Sequence, residues 1–252
     1  MKKIRIIPRL DIKGPNLIKS IQFEGLRIIG DPNTFAKKYY KEGADELLYM
    51  DVVASLYGRN SLMDLISNAV KDVFIPITVG GGIRSIENAG EVLRSGADKV
   101  AVNTAVVKNP KLITQLKDKF GSQSIVVSIE AKKIDNGWEA YTENGREKTG
   151  LDVIHWAKKC SNMGAGEILL TSVDREGTRK GFDLELINEV KKHINIPLIV
   201  SGGMSSPKDI TKVASDGGVS GVSMADILHY KRFKIKQIKD FAKKNNLDVR
   251  SS

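Results

Sequence analysis

The sequence predicts an α/β protein whose eight strand–helix units close into a (β/α)8 barrel made of two half-barrel repeats. A short apolar, β-branched run ends at Gly81-Gly82, and a similar run 121 positions later ends at Gly202-Gly203. The segments beginning at Gly43 and Gly164 are also 121 positions apart and alike. The length of 252 residues matches the roughly 250 residues typical of such barrels. This half-chain repeat favours a closed barrel over an open sheet.

Apolar runs alternate along the chain with segments whose apolar residues recur at helical spacing, as in parallel strands joined by helices. We predict strands at 4–11, 46–51, 75–79, 99–103, 124–130, 167–171, 197–201 and 219–223. We predict helices near 33–42, 61–71, 86–94, 151–163, 184–193, 207–215 and 233–245, and one more that starts at Asn109-Pro110. Because no linker interrupts this alternation, we expect a single TIM-barrel domain over 1–252, with half-barrels at about 1–120 and 121–252.

Two connections depart from the regular alternation. The stretch 13–32 is polar and contains glycine, and it is longer than the roughly 2–6 residues usual between a strand and its helix. We expect it to be a loop that can cover the barrel mouth. Residues 132–148 contain the turn pair Asn144-Gly145 and predict a β-hairpin inserted after the fifth strand.

The composition of the chain limits its expected location in the cell and its expected partners. No apolar run approaches the roughly 18–20 residues of a membrane span, and the first residues begin a strand and not a signal peptide. A single cysteine, Cys160, excludes an intrachain disulfide framework and is typical of the cytoplasm. The net charge of +10 favours a solvated basic surface, with anionic substrates or an acidic partner as the alternative. The sequence lacks nucleic-acid-binding motifs, so we expect no nucleic acid partner.

Candidate catalytic residues lie where the predicted strands end, because barrel enzymes carry their active sites at the carboxyl ends of the strands. Asp11 and Glu130 end the first strand of each half, so we expect them to face each other across the barrel mouth. Two opposed carboxylates can divide acid and base roles when their surroundings separate their pKa values. The alternative is that such carboxylates only cap helices or pair with lysines. Other polar strand ends are Asp51, Thr171 and Ser172.

The glycine turns suggest phosphate binding, because glycine lets backbone N–H groups approach an anion closely. One predicted site combines Gly81 and Gly82 with Asn103 and Thr104. Its repeat counterpart combines the members Ser201, Gly202, Gly203, Ala225 and Asp226. Two such sites imply an elongated substrate with two anionic ends. The carboxylate of Asp226 would repel a dianion unless the register of this strand is off by one residue or the side chain turns away.

These motifs resemble the cyclase subunit of imidazole glycerol phosphate synthase, and the similarity runs nearly from end to end. The matching segments include Thr78-Val-Gly-Gly-Gly-Ile83, Gly96-Ala-Asp-Lys99 and Gly164-Ala-Gly-Glu-Ile-Leu-Leu-Thr-Ser172. The resemblance implies a (β/α)8 barrel that receives ammonia from a glutaminase subunit docked at its bottom. Ammonia then attacks the ribulosyl carbonyl of a bisphosphorylated substrate on top, the bond to the aminoimidazole carboxamide ribotide breaks, and the imidazole ring closes. No metal or organic cofactor is implied.

The resemblance also assigns roles to residues. Asp11 corresponds to one acid/base residue, Glu130 stands where the family has its second catalytic aspartate, and Lys19 lies in a mobile loop that closes over substrate. The residues that line the site are Asp51, Thr171 and Ser201. A charged gate at the ammonia entrance corresponds to Arg5, Glu46, Lys99 and Glu167, and the positions facing the glutaminase are Asp98 and Gln123. The departures from the family pattern are Arg9, Ser20, Gln22, Glu130, Glu176 and Asp226.

Three functions are compatible with these features. One is the cyclase of histidine biosynthesis, working with Glu130. The second is a diverged paralogue that channels ammonia from a glutaminase to form acetamidino sugars for bacterial surface polysaccharides. The third is a binding barrel without activity, against which Asp11 and Lys19 argue.

Overall fold

The computed structural model describes residues 3–52, 60–214 and 218–251. Its strands are β1 Arg5–Lys13, β2 Asn16–Ile21, β3 Glu24–Gly30, β4 Leu47–Asp51, β5 Ile77–Gly80, β6 Lys99–Val102, β7 Ile125–Ile134, β8 Gly137–Thr142, β9 Glu147–Asp152, β10 Glu167–Ser172, β11 Leu198–Ser201 and β12 Val219–Met224. Its α-helices are α1 Pro32–Lys41, α2 Asn60–Ala69, α3 Ile86–Arg94, α4 Thr104–Lys108, α5 Lys111–Phe120, α6 Val153–Asn162, α7 Leu184–His193, α8 Lys208–Ala214, α9 Asp226–His229 and α10 Ile235–Lys244. A 3-10 turn, Ser122–Ser124, precedes β7.

Eight parallel strands form a closed barrel, which confirms the predicted fold class. The order around the barrel is β10, β11, β12, β1, β4, β5, β6 and β7, and pairing of β7 with β10 closes it. In that last pair Glu130 lies beside Thr171. Because β1 and β7 are four strands apart in either direction, the strands that carry Asp11 and Glu130 stand on opposite sides of the barrel.

Two antiparallel hairpins extend the barrel at its mouth. The β8–β9 hairpin after β7 was predicted, and its turn lies at residues 143–146. The stretch 13–32 is a second hairpin, β2–β3, and the prediction of a loop there was wrong. In both halves the first strand runs on and folds back on itself, because β1 pairs with β2 as β7 pairs with β8. The half-chain repeat therefore extends to the structures that surround the mouth.

The core has two parts, as expected from the alternation of side chains along each strand. Outward-facing residues such as Ile6 and Leu10 pack in a large cluster that includes helix residues such as Trp156 and Cys160. A smaller cluster fills the barrel interior and consists of Ile7, Leu48, Met50, Ala101, Val126, Leu169 and Ile199. This apolar layer separates charged residues at the amino-terminal end of the barrel from polar residues at the mouth.

The last helix is fixed to the barrel bottom by a buried ion pair. Lys239 of α10 lies with its Nζ 2.7 Å from Oδ1 of Asp45, and both side chains are buried. The other oxygen of Asp45 accepts a hydrogen bond from the backbone N–H of Ile6 at 2.8 Å. One carboxylate thus joins the start of β1, the segment between α1 and β4, and the final helix. In the described ranges, none of the helices is both long enough and apolar enough to cross a membrane.

Candidate active site

The centre of the barrel mouth is occupied by a buried arginine, Arg9, which was predicted only as a departure from the family pattern. Arg9 is 2% exposed, and its Nε donates to Oδ1 of Asp11 at 2.8 Å. Its Nη1 donates to Oγ1 of Thr171 at 3.2 Å. The ring of Phe23 lies over the guanidinium, with its centroid 5.4 Å from Cζ. Hydrogen bonds to β1 and β10 and the aromatic ring against its face therefore hold the guanidinium in one orientation.

Asp11 is the first predicted catalytic carboxylate, and it is as deeply buried as Arg9. Its Oδ1 is ion-paired with Arg9, while its Oδ2 is buried without a hydrogen-bond partner among the described residues. A buried carboxylate oxygen is normally hydrogen-bonded, so an oxygen left without a donor is a marked exception. Asp11 thus presents one fixed oxygen and one oxygen able to accept a proton.

Glu130 is the second predicted carboxylate, on the opposite strand. Its Oε2 accepts a hydrogen bond from the backbone N–H of Gly145 at 2.8 Å, in the β8–β9 turn. Burial raises the pKa of Glu130 to about 7, although the Gly145 N–H and the charge of Arg9 act in the opposite direction. A carboxyl group with this pKa can both donate and accept a proton near neutral pH.

The β2–β3 hairpin is docked over the mouth by polar contacts with the turn after β10. Lys19 is buried on β2 and forms an ion pair with Glu176. Burial alone would lower the pKa of Lys19, but the carboxylates of Glu176 and Asp11 outweigh it and the pKa is raised. At the hairpin tip, the backbone N–H of Gln22 donates to the carbonyl of Glu176 at 2.9 Å. Lys19 therefore lies on a strand, not in a loop as the resemblance implied.

A first cleft opens at the predicted glycine turn of the amino-terminal half. Its volume is about 550 Å³, and its lining includes six predicted residues, which are Asp51, Gly81, Gly82, Asn103, Thr104 and Glu130. Arg84 and Lys108, which were not predicted, add two cations. Gly81 has a φ of +106°, and a Cβ there would lie 2.3 Å from the carbonyl oxygen of Asp51. Only glycine fits this close approach of the two strand ends.

The β8–β9 turn covers one side of this first cleft. The side-chain amide of Asn144 donates to the carbonyl of Val52 at 2.6 Å, and that of Asn103 donates to the carbonyl of Tyr141 at 3.1 Å. Asn103 was predicted to contact phosphate, but its amide group is bonded to the hairpin. Glu143 and Asn144 both line the cleft.

A second, much smaller cleft lies at the repeat-related glycine turn. Its volume is about 20 Å³, room for about one water molecule. The predicted residues in its lining are Ser201, Gly202, Gly203, Ala225 and Asp226, and Arg9 and Glu176 form part of the same wall. The two clefts have no lining residue in common. The geometry thus divides the predicted phosphate sites into one open cleft and one nearly filled cleft.

The carboxylate of Asp226 is compensated by two arginines. Its Oδ1 accepts a hydrogen bond from Nε of Arg232 at 3.0 Å, and Nε of Arg179 lies 3.9 Å from the same oxygen. Asp226 is the first residue of α9 and not the last residue of a strand. The negative charge of Asp226 at the second cleft is therefore offset by the two guanidinium groups.

Four of the predicted mouth residues line neither cleft; they are Asp11, Lys19, Thr171 and Ser172. The first three surround Arg9 and Glu176 under the β2–β3 hairpin. Ser172 is buried, and its backbone carbonyl accepts from the N–H of Glu176 at 3.0 Å in the turn after β10. These residues form the floor between the clefts.

At the opposite end of the barrel, the four predicted gate residues form one group. Nη1 of Arg5 lies 2.7 Å from Glu46 and 3.0 Å from Glu167. Nζ of Lys99 lies 3.1 Å from Glu46 and 3.2 Å from Glu167. Each cation contacts both anions, so the four charges compensate one another directly beneath the apolar layer.

The two predicted partner-facing residues are exposed at this end of the barrel. Asp98 also has a structural role, because its Oδ2 accepts a hydrogen bond from the backbone N–H of Ile77 at 2.8 Å. Gln123 lies in the 3-10 turn before β7, and its side chain donates to the carbonyl of Phe120 at 3.4 Å. Both positions are open to a partner that covers the barrel bottom.

Arg9 could have been identified from the sequence. Side chains alternate along a strand, so a prediction that Asp11 faces the barrel interior also places Arg9, Ile7 and Arg5 on that face. Glu176 carried no such signal, because it lies in a turn whose path depends on contacts with the β2–β3 hairpin. In the part of the chain that the structure describes, no group of three or more His, Cys, Asp or Glu side chains could hold a metal ion.

Comparisons with known proteins agree with this geometry. Residues 5–234 match the family described as "Histidine biosynthesis protein". The imidazole glycerol phosphate synthase subunit HisF of Legionella pneumophila is 61% identical over 205 residues, which is 81% of this chain and 97% of that protein. The protein of the same name from Prochlorococcus marinus strain MIT 9515 is 48% identical over 253 residues, covering 99% of this chain and 98% of that protein. Its counterpart in Dehalococcoides mccartyi strain BAV1 is 46% identical, with 98% and 97% covered.

Proposed function

The chain belongs to the histidine biosynthesis protein family and is an enzyme of the HisF cyclase type, and we propose that Asp11 and Glu130 carry out its acid–base chemistry. Its reaction is the ammonia-dependent formation of imidazole glycerol phosphate in histidine biosynthesis. The observation that carries the residue assignment is the pair of buried carboxylates on opposite strands of the mouth. The sugar-modifying alternative is not favoured, because the relatives named above are all subunits of the synthase.

The roles of the two carboxylates follow from their surroundings. Glu130 has a pKa of about 7, so a substantial fraction is protonated at neutral pH and can donate to a leaving group. Asp11 is ion-paired with Arg9 and has one oxygen without a partner, so it accepts the proton released when ammonia adds to the ribulosyl carbonyl. The carbonyl oxygen leaves as water, the bond to the ribotide breaks, and the imidazole ring closes. Both carboxylates are buried, which strengthens their interaction with a substrate at the mouth.

The first cleft is the proposed site of one phosphate end of the substrate. Gly81 and Gly82 bring the backbone close to the cleft, and Arg84 and Lys108 supply positive charge. The second phosphate end is proposed to bind at the turn of Gly202 and Gly203, beside Arg179. Engagement of that end requires the small second cleft to widen, since about 20 Å³ does not admit a phosphate group.

The barrel bottom is proposed to receive ammonia from a glutaminase subunit. The supporting observation is the closed group of four charges at the end of an apolar interior, because a neutral molecule can cross such a layer more easily than an ion. The exposed residues Asp98 and Gln123 are the proposed contacts with that subunit. We also assign the chain to the cytoplasm, in keeping with a single cysteine that is buried.

Turnover of the cyclase substrate by the isolated chain tests the proposed function. The purified protein is assayed with ammonium salt at alkaline pH, and formation of imidazole glycerol phosphate is measured. We expect turnover by the wild type and a loss of at least about 10²-fold in Asp11→Asn, because the base is removed. Asp135→Asn is the matched control, since Asp135 is exposed in the β7–β8 turn. No turnover by folded wild type alongside an active HisF enzyme would refute the proposal.

A further inference from the structure

Arg9 connects the two halves of the proposed catalytic pair. Its Nε binds Asp11 on its own strand, and its Nη1 binds Thr171 on β10. Thr171 is the direct register partner of Glu130 in the β7–β10 pairing. The guanidinium therefore reaches from one carboxylate to the residue beside the other.

The charged groups around Arg9 come from every element packed against it. Asp11 lies on β1, Lys19 on β2, Glu130 on β7 and Glu176 in the turn after β10. Three of these four groups are carboxylates that attract the guanidinium, and Lys19 is compensated by Glu176. His229 lies behind this group, and burial lowers its pKa to about 3, so it adds no charge at neutral pH. Arg9 is therefore the cation that Asp11 contacts directly and that Glu130 experiences across the mouth.

We propose that Arg9 is a positioning residue of the active site, which fixes the orientation of Asp11 and offsets the charge repulsion between Asp11 and Glu130. The proposal rests on the assignment of these two carboxylates as the acid–base pair. The guanidinium holds Asp11 by Oδ1 alone, and Oδ2 has no hydrogen-bond partner within the described part of the chain. Thr171 and the ring of Phe23 prevent the guanidinium from rotating.

The chemistry requires such a cation because two carboxylates in one buried cavity compete for a single proton. With Arg9 bound to Asp11, the proton resides on Glu130, which accepts a hydrogen bond from the backbone N–H of Gly145. Without Arg9, nothing holds the Asp11 carboxylate in place, and its repulsion of an ionised Glu130 is no longer offset. A lysine at this position keeps the charge but not the fork that fixes Asp11 and Thr171 together.

The test uses Arg9→Met and Arg9→Lys, with Arg94→Met as the control for loss of a positive charge on the exposed outer surface of α3. Carboxyl carbons labelled with 13C are titrated by NMR in the full chain, and the Glu130 signal is assigned by its absence in Glu130→Gln. We expect the titration midpoint of Glu130 to rise by about one unit in Arg9→Met, because an attractive charge is removed. In Arg9→Lys and Arg94→Met it stays near the wild-type value.

The activity arm separates positioning from charge. Ammonium-dependent turnover is expected to fall by about 10²-fold in both Arg9 variants, because Asp11 is misplaced in each. Only Arg9→Met shifts upward the alkaline limb of the pH–rate profile, which reports ionisation of the acid Glu130. An unchanged Glu130 midpoint in Arg9→Met would overturn the proposal. If Arg9→Met does not fold, the Glu130 midpoint is measured in Arg9→Met with Asp11→Asn, and it should be higher than in Asp11→Asn alone, which also lacks the charge of Asp11. Failure of the wild type to turn over substrate, with the midpoint shift present, would refute the assigned reaction and leave the electrostatic role of Arg9 supported.

Discussion

Replacement of Glu130 by glutamine should stabilise the protein at neutral and alkaline pH. Glu130 is buried, and its pKa is raised from an ordinary value of 4.5 to about 7 in the folded state. The folded protein thus binds this proton more tightly than the unfolded chain does. Glutamine has the shape of the protonated acid and does not ionise, so it retains an oxygen that can accept the hydrogen bond from Gly145.

The size of the effect follows from the difference between the two pKa values. As the pH rises from 4.5 to about 7, the unfolded chain ionises Glu130 while the folded state resists, so the wild type loses stability through this window. Each unit of pKa difference corresponds to about 1.4 kcal/mol, so the full loss is roughly 3 kcal/mol above pH 7. The stability of Glu130→Gln relative to wild type should therefore rise from near zero below pH 4.5 to roughly 3 kcal/mol above pH 7.

Urea denaturation at intervals between pH 4.5 and pH 8.5 measures this difference. Glu147→Gln is the control, because Glu147 is exposed on β9 and the same substitution there should give a difference that is flat with pH. A difference between Glu130→Gln and wild type that does not change with pH would refute the reasoning. Such a result would mean that the pKa of Glu130 is not raised in the folded state.

Two further substitutions test contacts described above. Lys239→Met should destabilise the protein by about 3–5 kcal/mol in urea denaturation, because it leaves the carboxylate of Asp45 buried and unpaired, and adding Asp45→Asn should recover most of that loss. Recovery of none of it would contradict a role for charge. Gly145→Ala and Gly14→Ala both place alanine at positive φ and should each cost about 1–2 kcal/mol. Only the first disturbs the N–H bound to Glu130, so only it should raise that residue's titration midpoint in NMR, and an equal rise in both would contradict this contact.

The barrel itself was predictable because its signals are local and repeated. Helices α3 and α7 have the predicted bounds, and the strand predictions overlap all eight barrel strands. The glycines at positions 81 and 202 mark strand ends because a Cβ at either position would collide with the backbone of the neighbouring strand end. The short helices α4 and α9 were missed, since four or five residues are too few for a helical period to be recognised.

The β2–β3 hairpin could not be recognised because its buried face is set by distant residues. Four consecutive residues of β2 are buried, and two of them are the polar Lys19 and Ser20. Lys19 is tolerated there because Glu176, more than 150 positions later, compensates its charge. The local sequence around Lys19 cannot indicate a partner so distant in the chain.

Because the two clefts differ in volume, we expect the two ends of the substrate to bind one after the other. A ligand with two anionic ends meets about 550 Å³ at one turn and about 20 Å³ at the other, where Arg9 forms part of the wall and carries the ring of Phe23 against its guanidinium. We expect capture to be stepwise: the first end anchors rapidly, and the second end follows only as the hairpin carrying Phe23 rearranges. Substrate fragments with a single phosphate would then compete for the first cleft only. The slower rearrangement of the hairpin would set the residence time of the complete substrate on the enzyme.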